Sequence, residues 1–305
     1  MFYVQTERLA GAVSNDAEEM LLKALELSHQ EDRGFVLHEL GSLAKLKGEL
    51  KKGRQYLEAA VQAKTAQFGE NSEDTSTSLH DLANVLHAQG DLDSARRNFE
   101  RSLNISVKVL GTDIHPSVAA SLHELARVLQ AQGDLGGARR NLERSLQIKT
   151  QVFGTDIHPS VAVSLHALAG VLQDQGDLDG ARRNLERALQ IYAQVFGTDI
   201  HPEVANSLHQ LAGVFKAQGD LDGARRNLER VIEIESVVYG TREHYSTAIT
   251  EMNLGALLLQ QGEAEAGAKL LAHAYSVFQN KLGPDHPHTR RLAELFGKNP
   301  PEPQE

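Results

Sequence analysis

A histidine stands at the same place in several copies of one short motif. The motif reads SLHDLA from Ser78, SLHELA from Ser121, SLHALA from Ser164 and SLHQLA from Ser207. With a fifth histidine that also lies ten residues before a glycine, the set is His38, His80, His123, His166 and His209. An imidazole can bind a metal, act as a general base or contact a partner. The spacing of the motif distinguishes among these functions.

The spacing disfavours metal binding and catalysis. The four motif copies are 43 residues apart, so each histidine falls on a different helix, and packed helices lie about 8–10 Å apart. A zinc ion needs every ligating nitrogen at about 2.0–2.1 Å. General-base catalysis needs a nucleophile and an orienting carboxylate at one place, and a feature copied into every unit indicates no such place. We therefore expect no metal site, no catalytic residue and no cofactor, and predict that the chain is not an enzyme.

Two interpretations of the histidines remain open. They are half-buried spacers that form hydrogen bonds between neighbouring repeats, or they are polar contacts on a partner-binding surface. If they face a partner, protonation near pH 6 should add positive charge and favour an acidic segment.

The chain is built from a repeat of 43 residues. Glycines of the QG turn recur at that interval, as do the glycines that begin each unit. The two sets are Gly90, Gly133, Gly176, Gly219 and Gly262, and Gly111, Gly154, Gly197 and Gly240. A fixed period of this length is typical of solenoid architectures.

Each unit contains two helical patterns. The first begins at a proline such as Pro116, which suits the first position of a helix. Its apolar stripe is Leu122, Leu125, Ala126 and Leu129, and that of the second pattern is Leu135, Ala138, Leu142 and Leu146. These residues recur at helical spacing. Because neither helix can bury its stripe alone, the units must stack on one another.

The pattern resembles the tetratricopeptide repeat (TPR). The matching positions in one unit are Leu79, Leu82, Ala83, Leu86, Ala95 and Phe99. Leu stands in place of the usual Trp, and the closing Pro is absent. The 42/43-residue period and the GTDIHP linkers are similar to the kinesin-light-chain type. The resemblance covers residues 17–297 and implies an all-α fold, a right-handed superhelical solenoid of stacked helix-turn-helix TPR units.

The repeats predict the organisation of the whole chain. Residues 1–33 are expected to form a partial repeat or capping helix, and residues 283–297 a second capping helix. Six TPR helix pairs lie between them, at 34–68, 69–110, 111–153, 154–196, 197–239 and 240–282. Residues 298–305 are rich in proline and charge, which predicts a disordered tail.

The resemblance places the histidine stripe in a concave groove that holds a partner segment. The predicted partner-binding residues are His38, His80, Asn84, His87, His123, Arg127, Gln130, His166, Gly170, Gln173, His209, Gly213, Lys216 and Met252. The paired Lys and Asn residues that clamp chaperone tails in other TPR proteins are not reproduced. The predicted function is a non-catalytic scaffold that binds a peptide or a partner protein in this groove. The alternative is a regulatory or sensor subunit that controls a catalytic or effector partner through the same groove.

Two further motifs are interpreted as structural. The histidines of the DIHP linkers directly precede a helix. The nearby aspartates are expected close to the amino terminus of that helix, where negative charge is stabilising. The ARRNLER motifs place arginines three and four residues before a glutamate, which predicts local ion pairs on a solvated surface.

Composition limits the cellular role. The net charge is −10, which argues against a general nucleic-acid binder. The chain has no cysteine and no run of 18 apolar residues, so we expect a cytoplasmic protein without a disulfide framework or membrane span. The oligomeric state is left open.

Overall fold

The computed structural model of the chain describes residues 16–296. Throughout that range every regular element is an α-helix. The helices are α1 (16–27), α2 (Gln30–Leu46), α3 (Leu50–Phe68), α4 (Glu73–Ala88), α5 (Leu92–Leu110), α6 (Pro116–Ala131), α7 (Leu135–Phe153), α8 (Pro159–Asp174), α9 (Leu178–Phe196), α10 (Pro202–Gln218), α11 (Leu221–Tyr239), α12 (Tyr245–Gln260), α13 (Ala264–Leu282) and α14 (Pro287–Phe296). The all-α prediction is confirmed. The predicted tail, and the part of the predicted leading unit before residue 16, lie outside the described residues.

The chain divides into two compact units. The first, Met1–Gly154, contains three helix pairs: α2 with α3, α4 with α5, and α6 with α7. Within this unit α3 also packs against α4, α5 packs against α6, and α4 contacts both α2 and α6. This is the packing of consecutive helix pairs in a TPR solenoid. The first pair begins at Gln30, whereas the predicted boundary was Gly34.

The second unit, Thr155–Glu305, repeats this arrangement. Its pairs are α8 with α9, α10 with α11, and α12 with α13. The last helix, α14, covers the end of the sixth pair, where Leu292 is buried with Leu271 and Phe278. An array needs such a terminal helix because its last apolar face has no following repeat.

The helices begin at side-chain caps that the linkers supply. Nδ1 of His115 accepts a hydrogen bond from the backbone N–H of Ser117 at 3.2 Å, and Pro116 follows as the first helical residue. His158, His201 and His244 cap α8, α10 and α12 in the same way. The DIHP histidines are therefore N-caps, a role that satisfies an N–H group of the first helical turn.

The linker aspartates also form ion pairs that the sequence did not predict. Each forms an ion pair with an arginine 31 residues later in the second helix of its repeat. The pairs are Asp113 with Arg144, Asp156 with Arg187, and Asp199 with Arg230. These contacts attach each linker to its own repeat.

The predicted core stripes are largely confirmed. Ala126 and Ala138 are 0% exposed, and Leu142 is 1% exposed. Leu135 and Leu146, at the margins of the second stripe, are only half-buried. Helix α5 ends at Gly111, as predicted. This glycine adopts a left-handed conformation with a φ of 66°, which glycine takes without steric cost.

Candidate partner-binding surface

The repeated histidines connect the first helices of neighbouring repeats. In four cases Nδ1 lies within hydrogen-bond distance of a serine or threonine hydroxyl in the next first helix. The pairs are His38 with Ser78 at 3.0 Å, His80 with Ser121 at 3.3 Å, His166 with Ser207 at 3.2 Å and His209 with Thr250 at 3.4 Å. In the first three pairs the hydroxyl belongs to the same SLH motif as the next histidine, whereas Thr250 precedes Met252 at that position. This geometry favours the interpretation of the histidines as spacers between repeats.

Burial favours the neutral form of four of the five rings. It lowers the pKa of His80, His166 and His209. Burial, together with the positive charge of Lys149, lowers the pKa of His123 to about 4. Desolvation penalises the charged form of a buried imidazole. Desolvation therefore opposes the charging near pH 6 that the sequence predicted for His80, His123, His166 and His209.

At the first repeat the histidine belongs to a charged network. Nε2 of His38 lies 3.2 Å from one oxygen of Asp81, and Nζ of Lys45 lies 3.2 Å from the other. Burial raises the pKa of Asp81, but the hydrogen bonds and charges of His38 and Lys45 outweigh it and lower the pKa to about 2. Sequence analysis missed this network. Its signal was the aspartate that directly follows the histidine in SLHDLA.

A cavity of about 190 Å³ opens beside His80 in the first unit. It lies among α4, α5 and α6. Its walls are apolar at Val109, Leu110 and Ala120, and Glu73 lies at its margin. The remaining lining residues are Ser76, Thr77, Ser102, Ser106, Ser117 and Ser121. The site thus combines an apolar wall with a row of hydroxyl groups.

The cavity exists because α5, the second helix of this repeat, carries a small residue at one position. Ser106 occupies the place that larger side chains take in every other helix pair. Its equivalents, 42 or 43 residues apart, are Lys64, Lys149, Tyr192, Glu235 and Phe278. Tyr192 and Phe278, for example, are buried at 1% and 0% exposure. A side chain fills this position in the other repeats, whereas Ser106 leaves it open.

The floor of the cavity is an ordered hydroxyl cluster. The Ser76 hydroxyl donates to the backbone oxygen of Ser102 at 2.9 Å and lies 2.8 Å from the Ser106 hydroxyl. The Ser102 hydroxyl donates to the backbone oxygen of Ser76 at 3.0 Å. The ring of His80 is held edge-on to Phe99, with 5.1 Å between centroids. Since these groups are already in contact with one another, the cavity is pre-formed.

The other predicted partner-binding residues differ in exposure. Arg127, Gly213 and Lys216 are exposed, and Arg127 pairs with Glu124 at 3.0 Å. The half-buried members are Asn84, His87, Gln130, Gly170 and Gln173. Met252 is 8% exposed and packs in the cluster that contains Leu292 of α14. Its position holds the end of the array together and leaves little surface for a partner.

The predicted ion pairs of the ARRNLER motifs are present. The first arginine of each motif pairs with the glutamate four residues later, at 2.7–2.8 Å. Both partners are substantially exposed, so each pair contributes little to stability.

Neither a metal cluster nor a membrane-spanning helix is found in residues 16–296. No three histidine, aspartate or glutamate side chains in this range are arranged to hold a metal ion. No helix in it has both the length and the apolar character that crossing a bilayer requires.

Comparison with known proteins relates the chain to repeat proteins. The model of the family described as MalT-like TPR region matches residues 10–280. A solved Podosopora anserina protein, described as a kinesin light chain with nearly identical TPR-like repeats, is 30% identical, with a TM-score of 0.59; the match covers 70% of this chain and 99% of that one. BtubC (BKLC) from P. vanneervenii shares the fold at 17% identity and a TM-score of 0.62, over 84% of this chain and 95% of that one. Among curated proteins there is no match.

Proposed function

We propose that this chain, a member of the MalT-like TPR region family, is an interaction scaffold whose first-helix face binds a peptide segment of a partner protein. Membership of a TPR family is what its repeat pattern predicted. The cavity beside His80 is the observation that carries this proposal. It receives one side chain of the partner, which anchors the segment.

The chemistry of the cavity indicates which side chain it accepts. Val109, Leu110 and Ala120 favour an apolar group, because burying it removes apolar surface from water. Hydroxyl groups on the floor and Glu73 at the margin can bond polar atoms of the bound segment. Binding sites commonly combine an apolar lining with a few placed polar groups. We therefore expect an apolar anchor flanked by a basic residue.

The pre-formed state of the cavity supports peptide binding. Its floor is fixed by hydrogen bonds among Ser76, Ser102 and Ser106. A site that needs no rearrangement loses less conformational freedom when a partner binds. The opposing explanation is a hydrated packing defect, since polar cavities of sufficient size hold water. The two explanations differ in whether filling the cavity affects binding.

The fourth repeat provides a design that fills the cavity. There, Ala162, Ala188 and Tyr192 occupy the places of the three floor serines. The triple variant Ser76→Ala, Ser102→Ala, Ser106→Tyr imports this arrangement into the second repeat. Because the combination already packs within the chain, the variant should fold.

A random peptide library displayed on phage is selected against the whole wild-type chain, and the selected peptides are measured by calorimetry. We expect peptides with an apolar anchor whose affinity falls at least about tenfold for the triple variant, as truncating or blocking an anchor typically does. The double variant Ser76→Ala, Ser102→Ala is the control, since it removes hydroxyls without filling the space. Peptides that bind the triple variant as tightly as the wild type would disprove the anchor, and failure to select any peptide would argue against peptide binding itself.

A further inference from the structure

The sixth helix pair departs from the preceding ones at three positions that meet in the structure. Arg242 stands where earlier linkers carry Asp113, Asp156 and Asp199. Glu251 stands where earlier first helices carry Leu122, Leu165 and Leu208. His273 stands where earlier second helices carry Arg144, Arg187 and Arg230. The repeated aspartate–arginine pair is thus replaced by a different set of charged groups.

These three residues form one ionic cluster around a buried carboxylate. The Glu251 side chain is 0% exposed. One of its oxygens accepts a hydrogen bond from Nη2 of Arg242, and the other pairs with Nδ1 of His273. A buried carboxylate at a leucine position costs desolvation free energy, and replacing such an ion pair by apolar residues is often neutral or stabilising. Packing alone therefore does not account for Glu251.

The cluster forms the wall of a pocket of about 340 Å³ between α13 and the linker before α12. Lys269 and Lys281 also line this pocket, and neither forms an ion pair with any residue of the range 16–296. The outer face of α13 has lost acidic groups: Ala272 and Ser276 take the places of Glu229 and Glu233. This leaves a cationic pocket on a chain with a net charge of −10.

The charges of the pocket favour an anionic ligand. Arg242, Lys269 and Lys281 supply three positive groups, against Glu243 and Glu251. Glu251 already binds Arg242 and His273, so it fixes these two side chains at the wall. Ser276 and Asn280 add a hydroxyl and an amide. Guanidinium, ammonium, hydroxyl and amide hydrogen-bond donors therefore all line this one pocket.

We propose that this pocket binds a small phosphomonoester. A phosphate group offers three oxygens, each able to accept charge-assisted hydrogen bonds from arginine and lysine. The volume suits one small organic molecule. The pocket belongs to the second unit and shares no residue with the cavity beside His80, so this site is separate from the proposed peptide site.

The test is calorimetric titration of the whole chain with glycerol 3-phosphate, inorganic phosphate and citrate. Glycerol 3-phosphate should bind more tightly than inorganic phosphate, because only the ester fills the pocket. The double variant Lys269→Gln, Lys281→Val should weaken this binding at least about tenfold, as expected for the loss of charge-assisted contacts. Valine is the residue that the three preceding repeats carry at the position of Lys281, as in Val238.

The control variant is Arg140→Gln, Arg183→Gln. It removes two positive charges at the equivalents of Lys269 in the third and fourth repeats, and binding should be unchanged. Equal weakening in both double variants would show a general charge effect and overturn the site. No binding of either phosphate compound by the wild type would overturn the proposal, and tighter binding of citrate would overturn the assignment to a phosphate ester.

Discussion

Replacing His123 tests whether the buried histidines make the fold sensitive to acid. The substitution His123→Met introduces the side chain that the sixth repeat carries at the same place, Met252. Methionine does not titrate. A comparison of variant and wild type therefore isolates the proton equilibrium of one ring.

The expected effect follows from the pKa. Burial, followed by the charge of Lys149, lowers the pKa of His123 from 6.5 to about 4. The folded protein binds fewer protons at this site than the unfolded chain, so stability is present above pH 6.5 and is lost as the pH falls towards 4. Between about pH 7.5 and about pH 5, the wild type should lose about 2 kcal/mol of unfolding free energy that His123→Met does not lose. Burial also lowers the pKa of His80, His166 and His209. These residues are present in both proteins, so their contributions cancel in the comparison.

The assay is urea unfolding followed by far-UV circular dichroism at both pH values, with NMR titration of the His123 ring in the wild type. His123→Gln serves as the control. Glutamine, like methionine, does not titrate, although it packs differently. His123→Gln must therefore show the same pH dependence as His123→Met, whatever its stability at neutral pH. If wild type and both variants differ by less than about 0.5 kcal/mol between the two pH values, contrary to the linkage relation, or if His123 titrates at an ordinary value, the ring is not desolvated and the reasoning is refuted.

Two further predictions concern packing. Ala138→Leu should lower the unfolding free energy by about 1–3 kcal/mol, because Ala138 is 0% exposed and the larger side chain overpacks its site; unchanged urea midpoints would contradict close packing there. Glu251→Leu should leave stability unchanged or raise it by about 1–2 kcal/mol, because it replaces a buried charge with the residue of the preceding repeats. Thermal unfolding of Glu251→Leu and Glu251→Ala, measured side by side, gives the change in stability. A loss of stability in Glu251→Leu as large as that in Glu251→Ala would refute the prediction.

The repeats could be identified from the sequence because local chemistry repeats with them. Pro116 begins a helix, Gly111 ends one, and Leu125 and Ala126 mark the buried stripe. Each signal depends on the few residues around it, so helices and core positions could be predicted without tertiary information.

Local sequence signals could reduce the number of possible roles for the histidines but could not decide among them. The spacing disfavoured a shared metal ligand set, and His80 does line the candidate cavity. The choice between spacer and exposed contact depended on how closely the next repeat approaches. That approach places the Ser121 hydroxyl 3.3 Å from His80 and removes the ring from water. The pKa of the ring therefore follows from contacts across 41 residues.

The sequence by itself determined the helix pairs, their period and their buried faces, because amphipathic spacing and terminal caps act over one or two helical turns. Tertiary structure decided which residues form sites. Ser106 opens a cavity only because Val109, Leu110 and Ala120 surround the space that larger residues fill elsewhere. Glu251 becomes part of a cationic pocket only because Arg242 and His273 reach it from a linker and another helix. Burial and electrostatic pairing depend on neighbours distant in sequence, and those neighbours are set by the packing of the repeats.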